Sequence, residues 1–98
     1  MKQTKELKEW AIKIKERDSN KCVICGSIKN LNAHHILPRE LKTTALDLNN
    51  GITLCPLHHR FSFKMSAHQN PMAFYRWLFL ERNQQYIYLL TKLEEVYK

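Results

Sequence analysis

Apolar positions recur along this 98-residue chain with two different periods, and the changes of period mark its organisation. Leu7, Trp10, Ala11 and Ile14 fall at i, i+3, i+4 and i+7, the stripe of an amphipathic helix predicted over residues 3 to about 18. Lys5, Lys8, Lys13, Lys15 and Arg17 share the remaining surface with Glu6, Glu9 and Glu16, which reads as a solvated face with helical ion pairs. Asp18-Ser19-Asn20 is a polar stop, and Gly26 supplies positive φ directly after Cys25. Leu31 to Leu37 alternates as a short strand that Pro38 ends, and Ile52-Thr53-Leu54 is a second, introduced by the turn signal Asn49-Asn50-Gly51. Residues 39–48 between them read as a loop with room for one helical turn. From Pro56 the pattern becomes helical, with Phe61 and Met65 four apart, and Ser66 to Asn70 breaks it. Asn70-Pro71 then offers a side-chain cap and a proline at the first helical position. Phe74, Trp77, Leu78, Tyr86, Leu89, Leu90, Leu93 and Tyr97 continue at helical spacing, divided at Arg82-Asn83, and are assigned to packing, including against the N-terminal helix. The expected fold is α+β. One domain over 1–98 comprises an N-terminal helix (1–20), a ββα core (21–65) and C-terminal helices (70–98).

A chain of this size buries only roughly two-thirds of its unfolded surface, so a metal staple would be physically useful. The odd count of three cysteines argues against a closed disulfide framework and for metal ligation in a reducing compartment. No apolar run is long enough for a membrane and the N-terminus lacks a secretory h-region, so the expected location is cytoplasmic. Sixteen Lys+Arg against nine Asp+Glu give a formal charge of +7, which favours polyanions, nucleic acid above all, through counterion release.

The chemistry is concentrated between Cys22 and His59, where all three cysteines and four of the five histidines lie. Cys22-x2-Cys25 and Cys55-x2-His58 read as two halves of one tetrahedral zinc site. A C2H2 finger needs about twelve residues between its second Cys and first His, and Cys25 and His34 are closer than that. Gly26 stands where haem attachment requires His, and a redox Cys-x-x-Cys leaves Cys55-x2-His58 unexplained. His34, His35 and His59 then remain beside the staple without a structural role. Adjacent strand residues point to opposite faces, so His34 and His35 can do different work, one binding a metal and one meeting a substrate.

Leu31-Asn-Ala-His34-His35-Ile36-Leu37-Pro38 followed by Asn50-Gly-Ile-Thr-Leu-Cys55-Pro-Leu-His58-His59 resembles the HNH endonuclease family, in particular its zinc-stapled members from phages and mobile elements. The resemblance implies a ββα-metal, treble-clef-like core with structural zinc and one catalytic divalent cation: Mg2+, Mn2+ or Ni2+. It makes His35 the general base, His34 and His59 metal ligands, and Asn50 the brace of the loop that orients the base. Where relatives carry a further ligand four residues after the last His, this chain has Phe63; water or His68 would take that place, unless His68 is a solvent histidine before a helix cap. His58 replaces the more usual fourth Cys, which zinc accepts.

On this reading the protein is a metal-dependent endonuclease that nicks or cuts DNA, most naturally double-stranded, with Arg60, Lys64, Arg39 and Lys42 as phosphate contacts. The rivals are a catalytically silent zinc-stabilised DNA-binding module, a protein-interaction domain docking through its C-terminal helices, and a ribonuclease. Partnership with a larger phage or mobile-element assembly rests on resemblance alone, as does a host-cell cytoplasmic location.

Overall fold

The computed structural model describes residues 4–97, so the expected helix start at residue 3 and the final residue of the 70–98 segment lie outside the described residues. The elements run α1 (Lys5–Arg17), β1 (Asn32–His35), β2 (Gly51–Leu54), α2 (Pro71–Glu81) and α3 (Asn83–Val96). β1 and β2 form a two-stranded antiparallel sheet in which Asn32, Ala33, His34 and His35 face Leu54, Thr53, Ile52 and Gly51.

Thr4 begins α1 by accepting the Leu7 N–H on its hydroxyl at 3.2 Å. The polar stop becomes a left-handed turn, with Ser19 and Asn20 at φ 60° and 53°. Gly26 takes φ +80° in the cysteine knuckle, as its position after Cys25 requires. The strand predicted over Leu31 to Leu37 pairs only from Asn32 to His35, because Leu37 turns away to bond the buried Asn50 side chain.

The sheet's alternation decides where the helices go. Gly51 and Thr53 face α1: the Thr53 hydroxyl donates to the Ile14 carbonyl at 3.4 Å, and a Cβ on Gly51 would meet Trp10 at 2.5 Å. Gly51 is extended (φ −133°), so close approach of α1 demands the glycine here, not turn geometry. Ile52 and Leu54, both at 0% exposure, face the other way into a core with Ile36, Phe74, Leu78 and Leu89. Each such side chain contributes roughly 1.5–3 kcal/mol by leaving water. The α2–α3 hairpin thus lies on the face of the sheet opposite α1, which corrects the expected packing against the N-terminal helix. The end of α1 approaches this hairpin at Asp18, whose carboxylate lies 3.9 Å from Arg82.

The charged face of α1 is solvated as expected, but the expected helical Lys–Glu ion pairs are not found among the described residues. Among the described residues its ion pair is Arg17 with Asp18, and Arg17 further donates to the Leu48 and Gly51 carbonyls at 2.7 and 2.9 Å. Along the C-terminal stripe Phe74, Leu78 and Leu89 are buried, whereas Leu90 and Tyr97 are exposed. The division at Arg82 is as predicted, between α2 and α3.

Candidate functional site

The helix predicted from Pro56 to about Met65 is a single wide turn, Leu57–Phe61, closed by the Ser62 N–H donating to the Leu57 carbonyl at 2.8 Å. This five-residue reach is π-helical, a geometry found mostly as isolated turns at functional positions. The turn ends before Phe63, which is 79% exposed and therefore not stacked under His59 as an α-helix would place it. The chain instead doubles back. Ala67 and His68 donate their N–H groups to the His58 and His59 carbonyls at 2.9 and 3.0 Å.

That return brings His68 to His59, Nε2 to Nε2 at 3.1 Å. Strand alternation puts His34 on the same side, packed edge-on against Phe74. Each of His34, His59 and His68 offers a ring nitrogen, and these atoms lie within 4.8 Å of one another. The rings meet at steep angles of 67° to 80°, so edges converge and faces do not stack. Imidazole nitrogens bound to one ion at about 2.0–2.1 Å sit roughly 2.9–3.4 Å apart, and the His59–His68 pair falls in that range. Burial lowers the pKa of His34 to about 3, reinforced by His59, His68, His35 and Arg60. Burial, then His68 and Arg60, hold His59 at about 4. His68 is also pushed down, by burial and Arg60. Neutral imidazoles present lone pairs, so near pH 7 the cluster is ready for a cation.

Cys22, Cys25, Cys55 and His58 form a second cluster, also within 4.8 Å. Cys25 and Cys55 sulfurs are 3.7 Å apart, and His58 Nδ1 lies 3.4 Å from Cys55 Sγ and 3.9 Å from Cys22 Sγ. A tetrahedral zinc with ordinary bond lengths separates such donors by roughly 3.5–3.8 Å. The tetrad therefore fits the ion. All three cysteines are free. Burial pushes the Cys22 thiol up, but backbone contacts from Cys55, Cys25 and Ile24 outweigh it and favour the thiolate. The Val23 N–H donates to the Thr53 carbonyl at 3.1 Å, which fastens this knuckle to β2.

His35 points the other way and stacks on Trp10, ring centroids 3.8 Å apart and planes within 11°. Its Nε2 lies 2.9 Å from the Ala45 carbonyl. A carbonyl only accepts, so Nε2 carries the proton and Nδ1 keeps the lone pair. Burial lowers the His35 pKa and Arg39 adds to this, against the opposing effects of the Ala45 hydrogen bond and Glu40. The neutral form with a basic Nδ1 follows.

The loop that supplies Ala45 is held by Asn50, which is fully buried. Its Oδ1 accepts from Leu37 N–H at 2.6 Å, and its Nδ2 donates to the Leu37 and Thr44 carbonyls at 3.0 and 3.1 Å. Four residues that sequence reasoning missed grip the same loop. Trp10 Nε1 donates to the Asp47 carbonyl, Tyr88 bonds the Asp47 carboxylate, Arg17 donates to Leu48 and Gly51, and Gln85 donates to Asn49 and Gly51. Trp10 was visible only as part of an apolar stripe. Nothing local in the sequence signals a contact 25 residues away from His35.

Of the expected phosphate contacts, Arg60 is exposed and its charge acts on all three clustered histidines. Arg39 acts on His35. Lys64 and Lys42 are exposed, on the segments after the wide turn and after Pro38. Among the described residues no helix is long and apolar enough to cross a membrane.

No curated protein and no solved structure matches the chain. Residues 22–62, which span the cysteine knuckle, both strands and the wide turn, match the model of the HNH endonuclease family. That match supports an HNH endonuclease family assignment for this stretch, and such a domain implies a nucleic acid partner.

Proposed function

We propose that this protein is a metal-dependent DNA endonuclease that hydrolyses a phosphodiester bond at the end of β1, between the His34, His59 and His68 cluster and His35. The observation that carries the reading is the split of one dipeptide: His34 joins His59 and His68, while His35 turns away with its proton on Nε2 and its lone pair on Nδ1. His34, His59 and His68 would hold a divalent cation, Mg2+, Mn2+ or Ni2+, and three imidazoles suit the later transition ions better than magnesium. The bound ion would supply charge neutralisation on the phosphate and at the departing 3′ oxygen. His35 takes a proton from water through Nδ1 as the water oxygen bonds phosphorus and the bond to the 3′ oxygen breaks. Trp10 and the Ala45 carbonyl fix the plane and tautomer of that ring, and Asn50 fixes the loop bearing Ala45. Arg60 neutralises phosphate beside the histidines, with Lys64, Arg39 and Lys42 contributing along the backbone.

Zinc at Cys22, Cys25, Cys55 and His58 is structural in this reading, the staple of a ββα-metal, treble-clef-like core within one domain over 1–98. A cytoplasmic location, and service within a phage or mobile-element assembly, belong to the same proposal. The rival reading of a silent DNA-binding module draws on Phe63 in a ligand's place, and the approach of His68 to His59 weighs against it.

The test is supercoiled-plasmid nicking by zinc-loaded protein with added magnesium, manganese, nickel or chelator. The proposal expects nicking that the chelator stops and that His34→Ala and His59→Ala abolish while zinc content is kept. Salt-dependent DNA binding without nicking under any ion would favour the silent module.

A further inference from the structure

The loop between Phe61 and Ala67 stands on the two histidines that the return of the chain brings together. One foot is His59, the other His68, tied by a backbone hydrogen bond of 3.0 Å. The loop carries two aromatic side chains that the protein does not cover, Phe61 at 64% exposure and Phe63 at 79%. Basic residues alternate with them in the order Arg60-Phe61-Ser62-Phe63-Lys64, and from Leu48 to Leu80 the chain has no Asp or Glu. The tip is held in place: Asn70, whose Oδ1 caps α2 at the Ala73 N–H, turns its Nδ2 to the Phe63 and Lys64 carbonyls at 3.1 and 3.4 Å. Met65 N–H also donates to the Ser62 hydroxyl at 3.1 Å. Two largely uncovered phenyl rings on a clamped backbone, flanked along the chain by cations and by no acidic residue, suit a partner that offers flat π faces and negative charge together. Unpaired nucleobases on a phosphate backbone have both properties.

We propose that Phe61 and Phe63 are a stacking subsite for unpaired nucleobases next to the phosphate at the histidine cluster. The proposal rests on the reading of this face as the substrate face. It deepens that reading by moving the preferred substrate from continuous duplex to a strand that is single or locally opened at the cleavage step. Apolar rings alone would equally suit a second copy of the chain, but the alternating cations, with no carboxylate between Asp47 and Glu81 to meet them, favour the polyanion.

The experiment is fluorescence-anisotropy binding of the full chain, zinc-loaded and carrying His35→Ala to stop turnover, to oligothymidylate, oligouridylate and a duplex of equal length. Phe61→Ala and Phe63→Ala should each weaken single-strand binding by about 5- to 100-fold, with less than about twofold effect on the duplex. Phe→Trp should restore binding and Phe→Leu should not, because stacking needs a flat π face. Quenching of 2-aminopurine in the strand, lost in the alanine variants, reports stacking directly. Both rings are exposed, so zinc content and circular dichroism should remain those of the parent. Equal losses on strand and duplex, retention of affinity by Phe→Leu, or a concentration-dependent dimer abolished by the alanine changes would overturn the proposal. The two nucleotide arms tell DNA from RNA. Because turnover is not measured, stacking without plasmid nicking would leave this inference standing and remove the nuclease; nicking without stacking would do the reverse.

Discussion

Truncating Asn50 to alanine should both destabilise the fold and loosen the loop whose Ala45 carbonyl holds His35. The side chain is fully buried and makes three hydrogen bonds, one accepted from Leu37 and two donated, to Leu37 and Thr44. Leaving a buried polar group unpaired costs about 1–3 kcal/mol. The three losses do not simply add. Thr44 O still accepts from the Asp47 N–H at 3.1 Å, and Leu37 is only half-buried, so water reaches part of the gap. The Leu37 N–H dominates, and about 3 kcal/mol is expected in total, a large part of the 5–15 kcal/mol typical of a domain. Thermal unfolding followed by tryptophan fluorescence should therefore fall by roughly 10–20 °C. Asn50→Asp distinguishes bracing from mere filling of space. Its carboxylate keeps the bond from Leu37 N–H but sets an acceptor against the Leu37 and Thr44 carbonyls, which favours the neutral acid and raises its folded pKa. Stability of that variant should be greatest below its unfolded pKa of about 3.9 and decline as pH rises through the raised folded value. An alanine variant within about 1 kcal/mol of wild type, or an Asp variant that gains stability with rising pH, would refute the reasoning.

Three further outcomes follow from particular contacts. Gly51→Ala places a methyl group 2.5–2.7 Å from Trp10 and Ile14, and should cost about 1–3 kcal/mol in chemical denaturation and perturb tryptophan emission. Burial pushes the Asp18 carboxyl up, but Arg17 and Thr53 outweigh it, so its pKa lies below 3.8; its contribution is whole above that pH and drains away as pH falls through the folded value. Asp18→Asn should therefore lack the acid limb that wild type shows in a pH series of melts. Arg60→Ala should weaken DNA binding on every sequence and lower the slope of log affinity against log salt by about 0.7–0.9, read by anisotropy across ionic strengths.

What was legible in the sequence is what local spacing encodes. Two x2 pairs located the Cys22, Cys25, Cys55 and His58 tetrad, and strand alternation separated His34 from His35 onto opposite faces, while only the family resemblance said which of the two would meet a metal. Asn70-Pro71 marked the start of α2 for the same reason. The failures share a different physics. Phe61 and Met65 have helical spacing, yet the turn widens and ends at Phe61, because Ala67 and His68 compete for the carbonyls of His58 and His59. Asp18 ends α1 as the polar stop implied, but its second role was hidden: the side chain is 3% exposed and its carboxylate accepts the Thr53 N–H at 3.0 Å. Gly51 looked like a turn residue and is extended, kept small by α1. Trp10 on His35, Tyr88 on Asp47 and Gln85 on Gly51 join residues more than 20 positions apart, where no periodicity reaches.

The role proposed for His35 is read from single-turnover cleavage of a labelled DNA by His35→Ala against wild type, with zinc content matched and the divalent ion saturating. A base that takes a proton and does not hold the strand should leave binding unchanged and lower the rate of His35→Ala by about 10²–10⁴. Equal rates for the two proteins would contradict that role.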